Sequence, residues 1–207
     1  MRNQTLCLKL LWRLFSSDSL WAKWMRNNKI KDDVFWLIDE KKQCSWTWKA
    51  LLHLRPLAIR FLKSEVGNGK LVSFWFDRWT PFGQLIQFLG PSGPSLTGIP
   101  LRSIVASASS PEGWILRPAR SPQAKLLHIH LTTIVSPSLS SYQDIFFWSS
   151  NDDESVSFSI KKTWEALRER HDPQRWTEHI WYKGAIPRLY PEIREHLFLN
   201  CEFSEEI

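Results

Sequence analysis

Thirteen tryptophans along 207 residues, against three tyrosines and two methionines, set the strongest constraint on what this chain can fold into. The indole is among the largest side chains, and it normally anchors a packed core or offers a flat surface for stacking. Most of the thirteen therefore have to be core residues. Hydrophobic residues at 43% and charged residues at 23% are close to globular averages and allow such a core. The length leaves room for one or two small domains. No window reaches the run of about 18 apolar residues that a membrane span needs, so no membrane partner is expected.

The N-terminal MRNQTLCLKLLWRLF has the charge and apolar stretch of a signal peptide, but Lys9 and Arg13 interrupt the run and no small-x-small cleavage site follows. An amphipathic helix is predicted instead. Cys7, Cys44 and Cys201 are odd in number and widely spaced, which argues for a reducing, intracellular setting, nuclear or cytoplasmic, rather than a secreted disulfide framework.

The net charge of +6 is unevenly placed. Residues 1–70 hold 14 Lys and Arg against 6 Asp and Glu, a local excess of +8, whereas the remainder holds 13 against 15. A basic segment of this kind can follow a phosphate backbone, with Lys23, Arg26, Lys29, Lys49 and Arg55 as the candidate contacts; the plainer reading is a solvated helix surface. RNA or DNA bound weakly and with strong salt dependence is the partner this distribution suggests.

Along the chain, Leu6, Leu10, Leu11 and Leu14 recur at helical spacing. Asp18 is placed to cap a second helix carrying Leu20, Trp21, Trp24 and Met25 on its apolar side. A third helix starts near Ser45 and runs through Trp46, Trp48, Leu51 and Leu52, until Pro56 kinks it or begins a new turn. Asn68-Gly69 between apolar runs signals a hairpin that leads into a strand over Leu71–Trp75. The glycines do not form a phosphate loop, because Leu71 stands where Ser or Thr is required after the lysine. Gly90–Pro100 reads as linker. His128 and His130 lie two apart in a stretch that is either helix or strand, with no Cys or carboxylate at metal-ligand spacing beside them. A second hairpin pairs Ile145–Trp148 with Val156–Ile160, followed by a helix with Ile160, Trp164 and Leu167 at helical spacing. The fold class is therefore α+β, mainly helical, with two short β-hairpins and a long irregular connector. The segments run 1–83, 84–143, 144–188 and 189–207.

Paired carboxylates on a β-turn can hold two divalent metals, and Asp152-Asp153-Glu154 sits at such a tip. A third carboxylate from another strand and a basic triphosphate cradle are missing, and acidic tips are ordinary turn chemistry. No Gly-x-Ser-x-Gly elbow or cysteine-nucleophile signature occurs, so no enzyme is expected.

Four blocks, in order, carry a family resemblance: SLWAKWM with SWTWKALLHLRPLA, EVGNGKLVSFWFDRWTPFG, SFSIKKTWEALR with HIWYKGAIPR, and EHLFLNCEFSEEI. The chain resembles the region following the polymerase domain in plant LINE-type (non-LTR) retrotransposon reverse transcriptases, the reverse transcriptase zinc-binding domain. The resemblance covers nearly the whole chain, and its most specific part is the Gly-Asn-Gly loop with Trp75-Phe76-Asp77-Arg78-Trp79. It implies a nucleic-acid-handling segment whose palm domain would lie upstream of Met1. In the family, the KGAIPR equivalent leads to the Cys-x-x-Cys half of a zinc knuckle; here Arg188 is followed at once by Leu189-Tyr190-Pro191, as an internal deletion would leave it. His196 and Cys201, at His-x-x-x-x-Cys spacing, are the two zinc ligands that the resemblance implies remain. With only two, zinc is not expected as a firm cofactor.

Overall fold

The computed structural model describes residues 2–31, 33–40, 45–150 and 153–168. Cys44, Asp152, the KGAIPR stretch, His196 and Cys201 lie outside them. The class is α+β: helices dominate, with two small antiparallel sheets.

Helix α1 (Arg2–Ser16) is the spine. Its buried stripe is Thr5, Leu8, Leu11, Trp12 and Leu14. The leucine face expected from spacing is rotated, with Leu6 half exposed and Leu10 only partly covered. Helix α2 (Leu20–Met25) is capped by Ser19, whose Oγ accepts from the Ala22 N–H, and not by Asp18, which pairs with Arg26 instead. Its inward residues are Ala22 and Met25, while Leu20 and Trp24 face solvent. The reason is length: a helix of 6 residues has little more than one turn to commit, so its neighbours choose the buried side.

Helix α3 (Trp46–His53) starts at a Ser45 cap as expected, and Pro56 sits in the first turn of a new helix, α4 (Arg55–Phe61), where its missing N–H is harmless. Strand β1 (Leu62–Glu65) follows directly and pairs antiparallel with β4 (Ile145–Ser150), Leu62 opposite Trp148 and Glu65 opposite Ile145. Strand β5 (Asp153–Ser155) completes the order β1-β4-β5. The second hairpin thus exists, but its return strand is shorter and earlier than Val156–Ile160. Phe158 packs on Trp148 instead of extending the ladder, and Ser159 caps helix α8 (Ile160–Leu167).

The first hairpin is absent, and Leu71–Trp75 is not a strand. The N–H groups of Gly67, Gly69 and Leu71 turn onto the Asp144 carboxylate, so they cannot form a ladder. The other small sheet lies elsewhere, between β2 (Ser109–Ser110) and β3 (Gly113–Trp114).

The 84–143 stretch is less irregular than its composition suggests. It holds α5 (Leu85–Leu89), α6 (Gly93–Thr97) and α7 (Pro122–Thr132). In α6, Pro94 occupies the first turn and Gly98 takes the left-handed position after the last residue, so the two helix breakers act as its two boundaries. Met1–Arg168 forms one compact unit.

Trp148 shows how the core is built. Its ring lies parallel to Phe61 at 5.2 Å and edge-on to Trp12 at 6.0 Å, and its Nε1 donates to Thr163 Oγ1 at 2.9 Å. Trp75, Trp79 and Trp114 likewise donate to the carbonyls of Pro100, Phe74 and Leu131. Burying one indole removes about 200 Å² from water, worth roughly 5 kcal/mol before ordering entropy is subtracted, provided its N–H is satisfied.

Candidate functional site

Two turns next to each other in sequence are each organised by a buried carboxylate. The Gly67–Leu71 loop wraps Asp144, which accepts from the backbone N–H groups of Gly67, Gly69 and Leu71, each at 2.8 Å. Glycine is needed at 69, where φ is +67° and an added Cβ would stand 2.6 Å from the Ala106 nitrogen. At 67 a Cβ would meet the Gln143 carbonyl oxygen at 2.4 Å. The next turn closes on Asp77, which accepts from the Ser73 N–H at 2.6 Å and from the Trp36 indole at 2.7 Å. Burial pushes the Asp77 carboxyl up to about 6, against the two hydrogen bonds that favour its charged form.

Lys70, Leu71, Ser73 and Asp77 of these turns line a cleft of about 680 Å³. Its aromatic part comes from Phe15 of α1, Phe35 and Trp36 of a short 3-10 turn, and Phe146 of β4. Phe15 lies parallel to Trp36 at 5.8 Å and edge-on to Phe35 at 5.4 Å. A π-helical turn, Arg26–Ile30, ending at Lys31, also lines it. Lys31 has φ +54°, the one positive φ at a non-glycine among the described residues, a conformation that costs about 1–3 kcal/mol in a side-chain-bearing residue. Lys31 and Lys70 are exposed at the rim, and neither side chain has an ion-pair partner among the described residues. Arg102 is paired with Asp33 at 2.9 Å.

The sequence-derived candidates fall into three groups. Lys23 and Lys49 are exposed, and Lys29 is partly so. Arg26 donates to the carbonyls of Leu14 and Ser17 and pairs with Asp18, which fastens α2 to the end of α1. Arg55 donates to the carbonyls of Leu52, Phe35, Trp36 and Ile38 and to Glu40, so it works as an internal clamp. The hydrogen bond from Arg55 holds the Glu40 carboxyl below its ordinary value. A cation count along the sequence cannot tell such clamps from free charges. The third group, His196 and Cys201, lies outside the described residues, among which no cluster of three or more His, Cys, Asp or Glu is placed to hold a metal.

At the acidic tip, Glu154 is paired with Lys63. On α7, His128 and His130 are two apart on a helix and point to different sides: His130 meets Phe82 edge-on, while His128 Nε2 is buried without a partner. The sequence reading missed Lys31, Lys70 and Trp36. Only Asp77 carried a signal, as the centre of the Trp-x-Asp-x-Trp block.

Among the described residues, no helix is long and apolar enough to cross a membrane. Comparison with protein-family models, with curated proteins and with solved structures gives no match.

Proposed function

We propose that this chain is a non-catalytic, internally truncated remnant of the zinc-binding C-terminal region of a plant non-LTR retrotransposon reverse transcriptase, a segment that handled RNA or DNA inside the cell. The family part rests on the four ordered sequence blocks. The nucleic-acid part rests on one observation: Trp24 and Trp46 stand 54% and 82% exposed, beside the exposed lysines Lys23 and Lys49. An exposed indole with a cation one residue or one helical turn away supplies the two things a sequence-tolerant single-strand surface uses, a stacking face and a phosphate partner. A retained binding module is the second reading, and the same observation favours it.

Fluorescence anisotropy with single-stranded RNA and DNA oligonucleotides across a salt series tests the surface. Affinity should fall linearly with log salt, and Lys23→Ala with Lys49→Ala should reduce the slope by about 1.4 for the pair, at about 0.7 for each single-strand phosphate deprived of its cation. Point substitutions are preferred to deletion of residues 1–70, because that segment includes α1, α3, α4 and β1 and carries much of the core. Equal binding by the double variant and the parent chain sinks the assignment. The non-catalytic part predicts no primer extension with Mg²⁺ or Mn²⁺; template-dependent product abolished by Asp153→Asn overturns it. For zinc, a Co²⁺ titration should give only weak binding that a chelator strips, since His196 and Cys201 supply two of the four ligands a closed site needs.

A further inference from the structure

We infer that the cleft between the π-helical turn and the Asp77 turn seats an unpaired nucleotide, its base against the partly exposed rings of Phe15 and Trp36 and its phosphate between Lys31 and Lys70. This rests on the nucleic-acid reading above and locates a subsite that the exposed tryptophans of α2 and α3 do not provide.

Three independent features meet here. The volume, about 680 Å³, falls within the range of about 300–1,000 Å³ common for small-molecule sites. The lining carries both kinds of group a nucleotide requires: aromatic side chains from α1, the 3-10 turn and β4, and two exposed lysines. Of the two carboxylates in the lining, Asp33 is neutralised by Arg102, and Asp77 is buried with both oxygens engaged. Among the described residues, Lys31 and Lys70 are therefore the lining charges left for a ligand, and the ligand they fit is an anion. The third feature is Lys31 itself. A positive φ at a lysine is unfavourable where glycine would be relaxed, and π-helical turns are often found where a helix is interrupted for a site. Keeping a lysine there has a reason if its ammonium is needed at the rim.

A planar base bearing a phosphate could come from a single strand or from a free nucleotide, and the two arms of the test separate them. The full chain is titrated with fluorescein-labelled oligouridylate and, separately, with uridine and adenosine monophosphates. Lys31→Ala with Lys70→Ala should weaken the strand at low salt by at least about tenfold, the loss of one charge-assisted hydrogen bond or more. Lys31→Arg should restore most of the loss due to Lys31→Ala, and Lys125→Ala on the outer side of α7 should change nothing. Lys31→Gly is the decisive variant, because it removes the charge and relieves the backbone together. It should unfold at higher denaturant than the parent chain while binding less tightly, a pairing that a merely structural lysine does not produce.

Photo-crosslinking from an oligonucleotide carrying 5-iodouridine should map to the peptides containing Phe15 or Trp36. If the strand binds but crosslinks reach only Trp24 or Trp46 and the lysine variants bind normally, the cleft is wrong and the surface reading stands. If only the monophosphates bind, with the same lysine dependence, the subsite is right and the strand reading fails. If neither ligand binds the parent chain at low salt, both fall.

Discussion

The Gly67–Leu71 loop and the Ser73–Trp79 turn both close on a carboxylate, yet one is a long-range construction and the other mostly local. Asp144 comes from 73 to 77 residues away and receives three backbone N–H groups. Asp77 reaches back four residues to Ser73, and its second donor is the Trp36 indole. Three aligned N–H groups can replace much of the water a carboxylate loses on burial, because each is fixed and points at the charge. At Asp77 desolvation is the largest influence, and it pushes the carboxyl up to about 6 against two hydrogen bonds, with the Asp144 charge acting in the same direction as burial. The lesson is that a buried carboxylate can organise a turn from within it or from far along the chain, according to where the fold brings the acceptor.

The strongest way to break this contrast is Asp144→Ala. It leaves three N–H groups without their acceptor, and at about 1–3 kcal/mol for each orphaned buried group the loss should reach about 3–5 kcal/mol after relaxation. Urea denaturation reads it; a loss under about 1 kcal/mol would mean that water replaces the carboxylate and the loop is not organised by it.

Next in size is the pH dependence of Asp77. Its carboxyl titrates near 6 in the folded chain against 3.8 as an ordinary value, so the native state holds the proton more tightly. Its contribution to stability is therefore fully present below the unfolded value and is lost as pH rises through about 6. The span is about 3 kcal/mol as an order of magnitude, from about 1.4 kcal/mol per unit. Subtracting the stability of Asp77→Asn from that of the parent chain between pH 4 and pH 7 should show this downward slope, and a flat or rising difference contradicts it.

Gly69→Ala tests the loop from its backbone side. The positive φ and the approach to Ala106 predict a loss of about 2 kcal/mol, read from the shift in melting temperature. The smallest expected effect is that of Trp36→Phe, which removes one donor from Asp77 but keeps an aromatic ring against Phe15. A loss of about 1 kcal/mol at neutral pH, smaller at pH 4 where the carboxyl is protonated, would sharpen the contrast. An effect independent of pH would assign the role of Trp36 to packing alone.

Much of the local architecture was legible. Ser45 and Ser159 cap the helices placed after them, Pro56 begins α4, and the polar tip before Ser155 turns a hairpin, because each depends on hydrogen bonds within a few residues. Helix faces were less legible. Leu6 and Leu20 continue apolar stripes in the sequence, but Leu6 is half exposed and Leu20 stands in solvent, since more apolar positions compete than one buried side accepts and the packing neighbours decide. The candidate cations divided in the same way. Lys23 and Lys49 remained outside, while Arg26 and Arg55 were drawn onto backbone carbonyls that only the folded chain brings within reach.

What the sequence determined by itself is the class of the molecule and its local stops and starts: an aromatic core, capped short helices, a basic first third and the Trp-x-Asp-x-Trp block. The tertiary structure alone decided that Gly67-Asn68-Gly69 is a cradle and not a hairpin, and that Lys31, Lys70 and Trp36 share one cleft. The physical reason lies in the range of the interactions. Caps and turns are fixed by hydrogen bonds across a few residues, but the acceptor for the glycine loop is Asp144, and no periodicity in a chain records which distant carboxylate its backbone will find.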